Sequence, residues 1–258
     1  MSVVTLLLTL LWLREPARRP EVLEKDARPA DSVPLSQVLH NLPVVLVLVT
    51  VLLMTSYMAA LAGTFSLYGS RVLFAGQSAS LAVRNVGLIM TALGLVMALT
   101  QAALLKPLVS RLGESKLLLL GCLLQLMSAV GLFTSSALGA VIAFVVTFAL
   151  GYGISSPTLQ SLMTHLGPEQ VVGRLPGVFQ SVNSLAFILS IVWAGAVFDY
   201  VSPQAVFAVS AGLLALAMGG SIGIVRHKPG REVAGSQVLS VEATAEGATI
   251  RSELGQLT

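Results

Sequence analysis

Charge is what this sequence has least of. Of its 258 residues only 10% are Asp, Glu, Lys or Arg, while 55% are hydrophobic; ordinary soluble chains carry about 25% and roughly 45–50%. The shortage is also uneven. Residues 32–70, 85–105, 117–168, 175–198 and 200–225 contain no charged side chain at all. A globular protein of this size cannot keep its surface wet with what is left. Soluble enzymes and nucleic-acid binders are thereby excluded, and a multi-pass membrane protein is implied. Cysteine is nearly absent too. Cys122 stands alone, so an internal disulfide and a cysteine metal cluster are both ruled out. In its apolar run it reads as a small core residue. Nothing in the sequence asks for a metal or another cofactor. The net charge of +3 reads as a record of orientation in the bilayer, not as attraction to nucleic acid.

The uncharged stretches are filled by apolar segments of spanning length. A helix crosses the hydrocarbon layer in about 20 residues. Residues 42–65 form one such segment, opened by Pro43 where a missing N–H costs nothing, and 86–105 form a second. The stretch 117–168 is too long for one helix, and Thr134-Ser135-Ser136 divides it into 117–134 and 138–160. Residues 178–198 make the fifth span. Pro203 opens the sixth, 204–225, which stops at Arg226-His227-Lys228. Residues 1–13 are apolar but only about half as long as a span requires. They have neither the preceding basic residue nor the Ala-x-Ala site of a signal peptide, and read as the tail end of a transmembrane helix whose beginning is absent. The predicted fold is an all-α membrane protein, a six-helix bundle over 42–225 preceded by a partial helix.

Lysine and arginine orient these spans. Residues 14–41 mix five basic and five acidic side chains with Pro16, Pro20, Pro29 and Pro34, the composition of a solvated linker. With that linker in the cytoplasm, every basic residue except Arg71 and Arg84 falls on the cytoplasmic side. This positive-inside asymmetry puts both ends of the 42–225 bundle in the cytoplasm, as an even number of spans requires. Residues 69–83 then form an outside loop with a short interfacial turn. The polar, small-residue-rich segment 226–258 is expected to be a disordered cytoplasmic tail.

Two connections say more. Between Lys106 and Lys116 only about ten residues separate two spans, which predicts that the flanking helices are antiparallel neighbours. Gly113 permits a positive φ, and Arg111 and Lys116 are cations suited to helix C-termini and anionic headgroups. The segment resembles the loop signature of the major facilitator superfamily: Gly, three residues, Asp, Arg, one residue, Gly, then a basic pair. Arg111, Gly113 and Lys116 match, whereas Lys106, Ser110 and Glu114 stand where the family has Gly, Asp and Arg. In that family the loop after helix 8 is a degraded repeat of the loop after helix 2. The second connection contains Glu169-Gln170, Gly173-Arg174 and Gly177-x-x-Gln180-Ser181-x-x-Ser184-Leu185-Ala186. It resembles the loop-10 to helix-11 stretch of the superfamily's drug:proton antiporters, in particular the tetracycline-exporter branch. Ser190-Ile191 replaces the mid-helix Gly-Pro of that branch, so the bend attributed to that pair is not expected.

The resemblance covers nearly the whole chain, as helices 7–12 plus the end of helix 6. It implies the C-terminal half of a twelve-helix carrier that moves a small molecule by alternating access. It also gives Arg111, Gly113, Lys116, Gly173 and Arg174 a role in conformational change. Helices 1–5, which in the family hold the acidic groups tied to proton coupling, have no counterpart here.

Polar residues within the spans are the candidates for the substrate pathway. Gln180, Asn183, Phe187 and Ser190 fall on one helical stripe. Amides in lipid must face protein or a water-filled cavity, so the stripe either lines the pathway or hydrogen-bonds between helices. Thr50, Met54 and Tyr57 line up in the first span. Gly151, Ser155 and Thr158 line up in the fourth, where Pro157 is expected to break the helix. Thr100 and Gln101 add polar groups in the second span. The candidates are thus Thr50, Tyr57, Gln101, Ser155, Gln180, Asn183 and Ser190, with the proviso that membrane Ser and Thr usually bond their own i−4 carbonyl. Ala211, Ala215, Gly219 and Gly223 form a small-residue groove for close helix approach, within the bundle or at a dimer seam. No ionisable side chain falls inside the six segments, so this chain alone is not expected to relay protons.

The leading reading is one lobe of a carrier whose site lies between two lobes. Its partners would be the lipid bilayer, a small-molecule substrate, and a missing N-terminal half or a partner half-transporter. A truncated gene product, a half-size subunit and an inactive remnant all fit; truncation is preferred because the chain begins in mid-helix. The rival is an intramembrane serine protease of the rhomboid type, suggested by Gly151-Tyr152-Gly153-Ile154-Ser155. His165, however, stands ten residues along the same helix, ~15 Å away, while a base must come within about 3 Å. His227 lies past the membrane edge.

Overall fold

The computed structural model describes residues 42–166 and 175–227, with side chains from 42–164 and 175–223. The partial helix 1–13, the linker 14–41, the loop 167–174 and the tail beyond 227 lie outside the described residues. Helix α1 (Leu42–Tyr68) is extended by a π-helical turn, Gly69–Leu73. Helix α2 (Ala79–Leu99) runs through a second π turn, Thr100–Leu104, into α3 (Leu105–Leu112). Then follow α4 (Glu114–Thr134), α5 (Leu138–Leu166), α6 (Leu175–Tyr200) and α7 (Ala205–His227). Among the described residues, six rods are long and apolar enough to cross a membrane: α1 with its π turn, the α2–α3 rod, and α4 to α7.

The rods outrun the apolar windows read from sequence. Helix α6 has 26 residues, ~39 Å of helix against a hydrocarbon layer of about 30 Å, so its ends stand among headgroups where charges are tolerated. Asp199 thereby falls in the last turn of the helix, just beyond the segment 178–198 read from sequence. Helix α2 likewise begins at Ala79, so Val83 and Arg84 are helical and the connection after α1 is shorter than expected. At the other end of α4, Ser135 turns extended (φ −134°, ψ 132°), and the Thr134 hydroxyl donates to the Val130 carbonyl at 3.0 Å. That local bond competes with helix continuation, and the break falls where the Thr-Ser-Ser run predicts.

Two expectations about connections fail for physical reasons. The Lys106–Lys116 segment is not a loop: α3 occupies most of it, and Gly113 alone reverses the chain at φ 73°, ψ 157°, a conformation that a Cβ would strain. The ~12 Å length of α3 acts as a spacer, so α2 packs on α5 instead of on its chain neighbour α4. Pro157 lies inside an unbroken α5. A membrane helix tolerates proline where neighbouring helices re-satisfy the freed backbone groups.

Helix α1 is the axis of the bundle, with α5, α6 and α7 packed around it, while the α4–α5 pair makes the most extensive contact. Helix α2 stands at the edge and is almost wholly exposed along its length. Between helices in lipid there is little hydrophobic driving force, so close packing and hydrogen bonds must hold them. A close backbone approach joins Gly121 on α4 to Gly151 on α5, where a Cβ on either glycine would come within 2.9 Å of the other's carbonyl oxygen. Aromatic rings fill the wider gaps. Tyr57 meets Phe148 edge-on at 4.9 Å between centroids, and Tyr68 meets Phe207 in the same way at 5.2 Å.

Candidate substrate-facing cleft

Hydrogen-bond satisfaction divides the polar residues into two sets. The first is sealed inside the bundle. Thr50 and Ser190 are fully buried, and each hydroxyl donates to the carbonyl four residues back, Leu46 and Ala186. Tyr57 is fully buried beside Ser128 at 3.0 Å. Because the Ser128 hydroxyl donates to the Phe144 carbonyl at 2.7 Å, Tyr57 supplies the proton of their shared bond. Ser155 accepts from the amide of Gln125 at 2.8 Å, on the α5 face pressed against α4. These four sequence candidates bind helix to helix or bond to their own helix. Gln101 lies exposed in the π turn of the α2–α3 rod, apart from all of them.

The second set opens outward. On α5, Tyr152, Ser156, Gln160 and Thr164 recur every fourth residue, one position round from the Gly151–Ser155 face, and range from half-buried to exposed. On α6, Gln180 is exposed and Asn183 half-buried. Of the stripe from Gln180 to Ser190, Ser190 is buried while Phe187 is 37% exposed. The first turns of α6, at Gln180 and Asn183, are open as well. There α5 and α6 diverge around a cavity of about 230 Å³ lined by Gln160, Met163, Thr164, Pro176, Phe179 and Gln180. Beside it the Thr55 hydroxyl of α1 donates to the side-chain oxygen of Asn183 at 2.8 Å, and Thr55 and Ser156 are the hydrogen-bonding neighbours of the Tyr152 hydroxyl. Gln180, Asn183, Thr55 and the α5 stripe therefore form one polar track that runs from the cleft into the lobe.

Tyr152, Ser156, Gln160 and Thr164 were missed from sequence, although their four-residue period is legible in it. Ser and Thr on the neighbouring face made the phase ambiguous. Gln125 was missed because a lone amide in a leucine-rich run has no pattern to belong to.

The residues of the loop signature sit at the same end of the bundle as the cleft. Arg111, in the last turn of α3, and Lys116, in the first turn of α4, are both exposed. Gly113 between them donates its N–H to the Val109 carbonyl. Glu114, in place of the family's arginine, accepts from Ser161 of α5 at 2.5 Å and so ties the turn to that helix. Gly173 and Arg174 lie outside the described residues. At the opposite end Arg71 stands 3.9 Å from Asp199 and 5.6 Å from the centre of the Phe198 ring, beside a smaller cavity of about 110 Å³ between α1 and α6. No cluster of metal-ligating side chains occurs among the described residues.

The family profile described as Major Facilitator Superfamily matches residues 1–191. The chain belongs to this superfamily. Its members are membrane transporters, not enzymes, which removes the protease alternative; Ser155, buried and paired with Gln125, has no access to a substrate in any case. The fold is similar to crystal structures of the peptide transporter POT in complex with sulfate, and of a variant of it in complex with sulfate or with alafosfalin. Each matches at TM-score 0.61 and 14% identity, over 82% of this chain and 45% of the transporter. At that identity the likeness is one of fold alone. The chain spans less than half the length of those transporters. No curated protein matches it. Among the described residues, the α2 edge and the outer face of α6 are exposed.

Proposed function

We propose that the protein carries a small molecule across the membrane by alternating access, as one lobe of a two-lobed carrier. The observation behind this reading is the polar track from Gln180 through Asn183 and Thr55 to the α5 stripe, which opens at a cleft while Thr50, Tyr57, Ser155 and Ser190 are hydrogen-bonded within the bundle. In lipid such an arrangement is expected where water or cargo passes. The finer reading is a drug:proton antiporter of the tetracycline-exporter type, supported by the Gly177-to-Ala186 stretch whose glutamine lines the cleft. The second lobe is supplied by an N-terminal half or a partner half-transporter. Basic-residue asymmetry supports placing both ends of the 42–225 bundle, and with them the cleft and the Gly113 turn, in the cytoplasm.

The test is uptake of a fluorescent drug by inverted membrane vesicles from an efflux-deficient host expressing the protein. Transport driven by a proton gradient, and reduced at least tenfold by Asn183→Leu, is expected. Drug movement indifferent to the gradient would overturn the antiporter reading. An absence of any gradient- or substrate-driven flux, alone or with a co-expressed partner lobe, would overturn the carrier reading.

A further inference from the structure

We propose that the groove between α1 and α6, at the end of the bundle away from the Gly113 turn, binds a zwitterionic phospholipid with a primary ammonium headgroup. The site stands whether or not the protein carries cargo. Each of the two helices presents a stripe at four-residue spacing that ends in a charge. On α1 and its π turn the stripe is Gly63, Leu67 and Arg71; on α6 it is Ile191, Gly195 and Asp199. Gly63 lies against Ile191 at one end and Arg71 against Asp199 at the other, so the two helices run parallel. Between them the apolar members of the stripes, with Phe198, line the cavity of about 110 Å³. Glycine makes this space: a Cβ on Gly63 would reach Ile191 only at 3.8 Å, and one on Gly195 would meet nothing within 4 Å. The slot is far smaller than small-molecule pockets of roughly 300–1,000 Å³, and its long, narrow form suits a stretch of one acyl chain.

The charges at the mouth choose the headgroup. Arg71 stands 3.9 Å from the Asp199 carboxylate, with both side chains largely exposed, and its guanidinium lies 5.6 Å from the centre of the buried Phe198 ring. That separation is too long for a hydrogen bond, so a planar fork of donors and a carboxylate stand side by side, each with capacity for a third group. A phosphate matches the arginine fork, and an ammonium matches the aspartate. A headgroup that carries both, laid antiparallel along the pair, sets each charge against its opposite. An anionic lipid would meet Asp199 as a like charge, and a quaternary ammonium has no N–H to donate to it. Depth agrees with this reading. Helix α6 outruns the hydrocarbon layer, and Tyr200, next to Asp199, is 90% exposed, as tyrosines at the membrane interface are. The connections at this end of the bundle, 74–78, 135–137 and 201–204, all lie within the described residues and carry no charge.

The test places the full chain in nanodiscs of equal parts phosphatidylethanolamine, phosphatidylcholine and phosphatidylglycerol with matched acyl chains. The lipid that stays bound on release is counted by native mass spectrometry. Phosphatidylethanolamine is expected to be retained about fivefold over either of the others, the ratio that ~1 kcal/mol gives. Asp199→Asn should turn the preference toward phosphatidylglycerol, a gain that misfolding cannot imitate. Gly195→Leu, which fills the groove and leaves both charges in place, should bring phosphatidylethanolamine down to the level of the other two. Excess soluble O-phosphoethanolamine should fail to displace the lipid, because it has no chain to seat. Equal retention of the three lipids by the unaltered protein would overturn the proposal, and so would a preference that survives both variants. Displacement by O-phosphoethanolamine would also overturn it, since the site would then take a soluble zwitterion instead of a lipid.

Discussion

The glycine contact between α4 and α5 offers a sharp test of how the bundle is held together. A Cβ placed on Gly151 would lie 2.8 Å from the carbonyl oxygen of Gly121, 3.0 Å from the backbone nitrogen of Gln125 and 3.0 Å from Cβ of Leu124. None of these atoms can rotate aside. Carbon contacts are comfortable at about 3.5–4.0 Å, so Gly151→Ala must push α4 and α5 apart by roughly 0.7 Å. A gap of that order forfeits a quarter to a half of the dispersion energy of the contacts it opens, and here it opens the most extensive helix pair. It also stretches the 2.8 Å bond from Gln125 to Ser155. Overpacking of this kind costs ~1–3 kcal/mol. Replacing a helical glycine by alanine returns ~1 kcal/mol, which leaves a net loss of up to about 2 kcal/mol. Gly94→Ala on exposed α2 is the control. With nothing within 4 Å of its Cβ, only the propensity gain remains. The readout is built in: Cys122 is the single cysteine of the chain and fully buried, next to Gly121. A thiol-activated dye in mild detergent reports its exposure as the protein is heated. Gly151→Ala should unfold well below the parent and Gly94→Ala at or above it. Equal midpoints for the two variants would refute the close-contact account.

Other substitutions follow the same logic and the same assay. Gln125 is fully buried with its side-chain oxygen unpaired, so Gln125→Leu removes an orphaned acceptor and should be neutral or mildly stabilising, since a buried unsatisfied group costs ~1–3 kcal/mol; Ser155 can then donate to its own helix as its neighbours do. A clear loss of stability in that variant would mean the amide holds the helices more strongly than one bond suggests. Arg71→Ala removes an ion pair at 3.9 Å whose partners are 61% and 66% exposed; such pairs contribute ~0–1 kcal/mol, and the midpoint should stay within error.

What the sequence made legible was mostly what lipid enforces. Absence of charge located six spans, the Thr134-Ser135-Ser136 run located a break, and Gly113 located a reversal, because each follows from a local cost that no neighbour can relieve. The helix ends were less legible: α6 continues past the uncharged segment to take in Asp199. Rotation about the axis was barely legible. A soluble helix declares its buried side by amphipathicity, but a spanning helix is apolar all round, so on α5 the inward Gly151–Ser155 face and the outward Tyr152–Gln160 face look alike in sequence. Which rods touch was not legible, since a turn of given length fixes proximity at one end only, and α3 removed even that for α2 and α4.

Those two faces of α5 show how one helix separates holding from handling. Toward α4 it presents Gly151 and Ser155, small enough to let backbones meet, with one hydroxyl spent on Gln125. A quarter-turn away it presents Tyr152, Ser156, Gln160 and Thr164, whose polar groups lie progressively nearer the open cleft. Glu114 and Asp199, the acidic residues of the described part, both sit at helix ends, and neither belongs to this track. Among the described residues, the track is thus lined by neutral hydrogen-bonding groups.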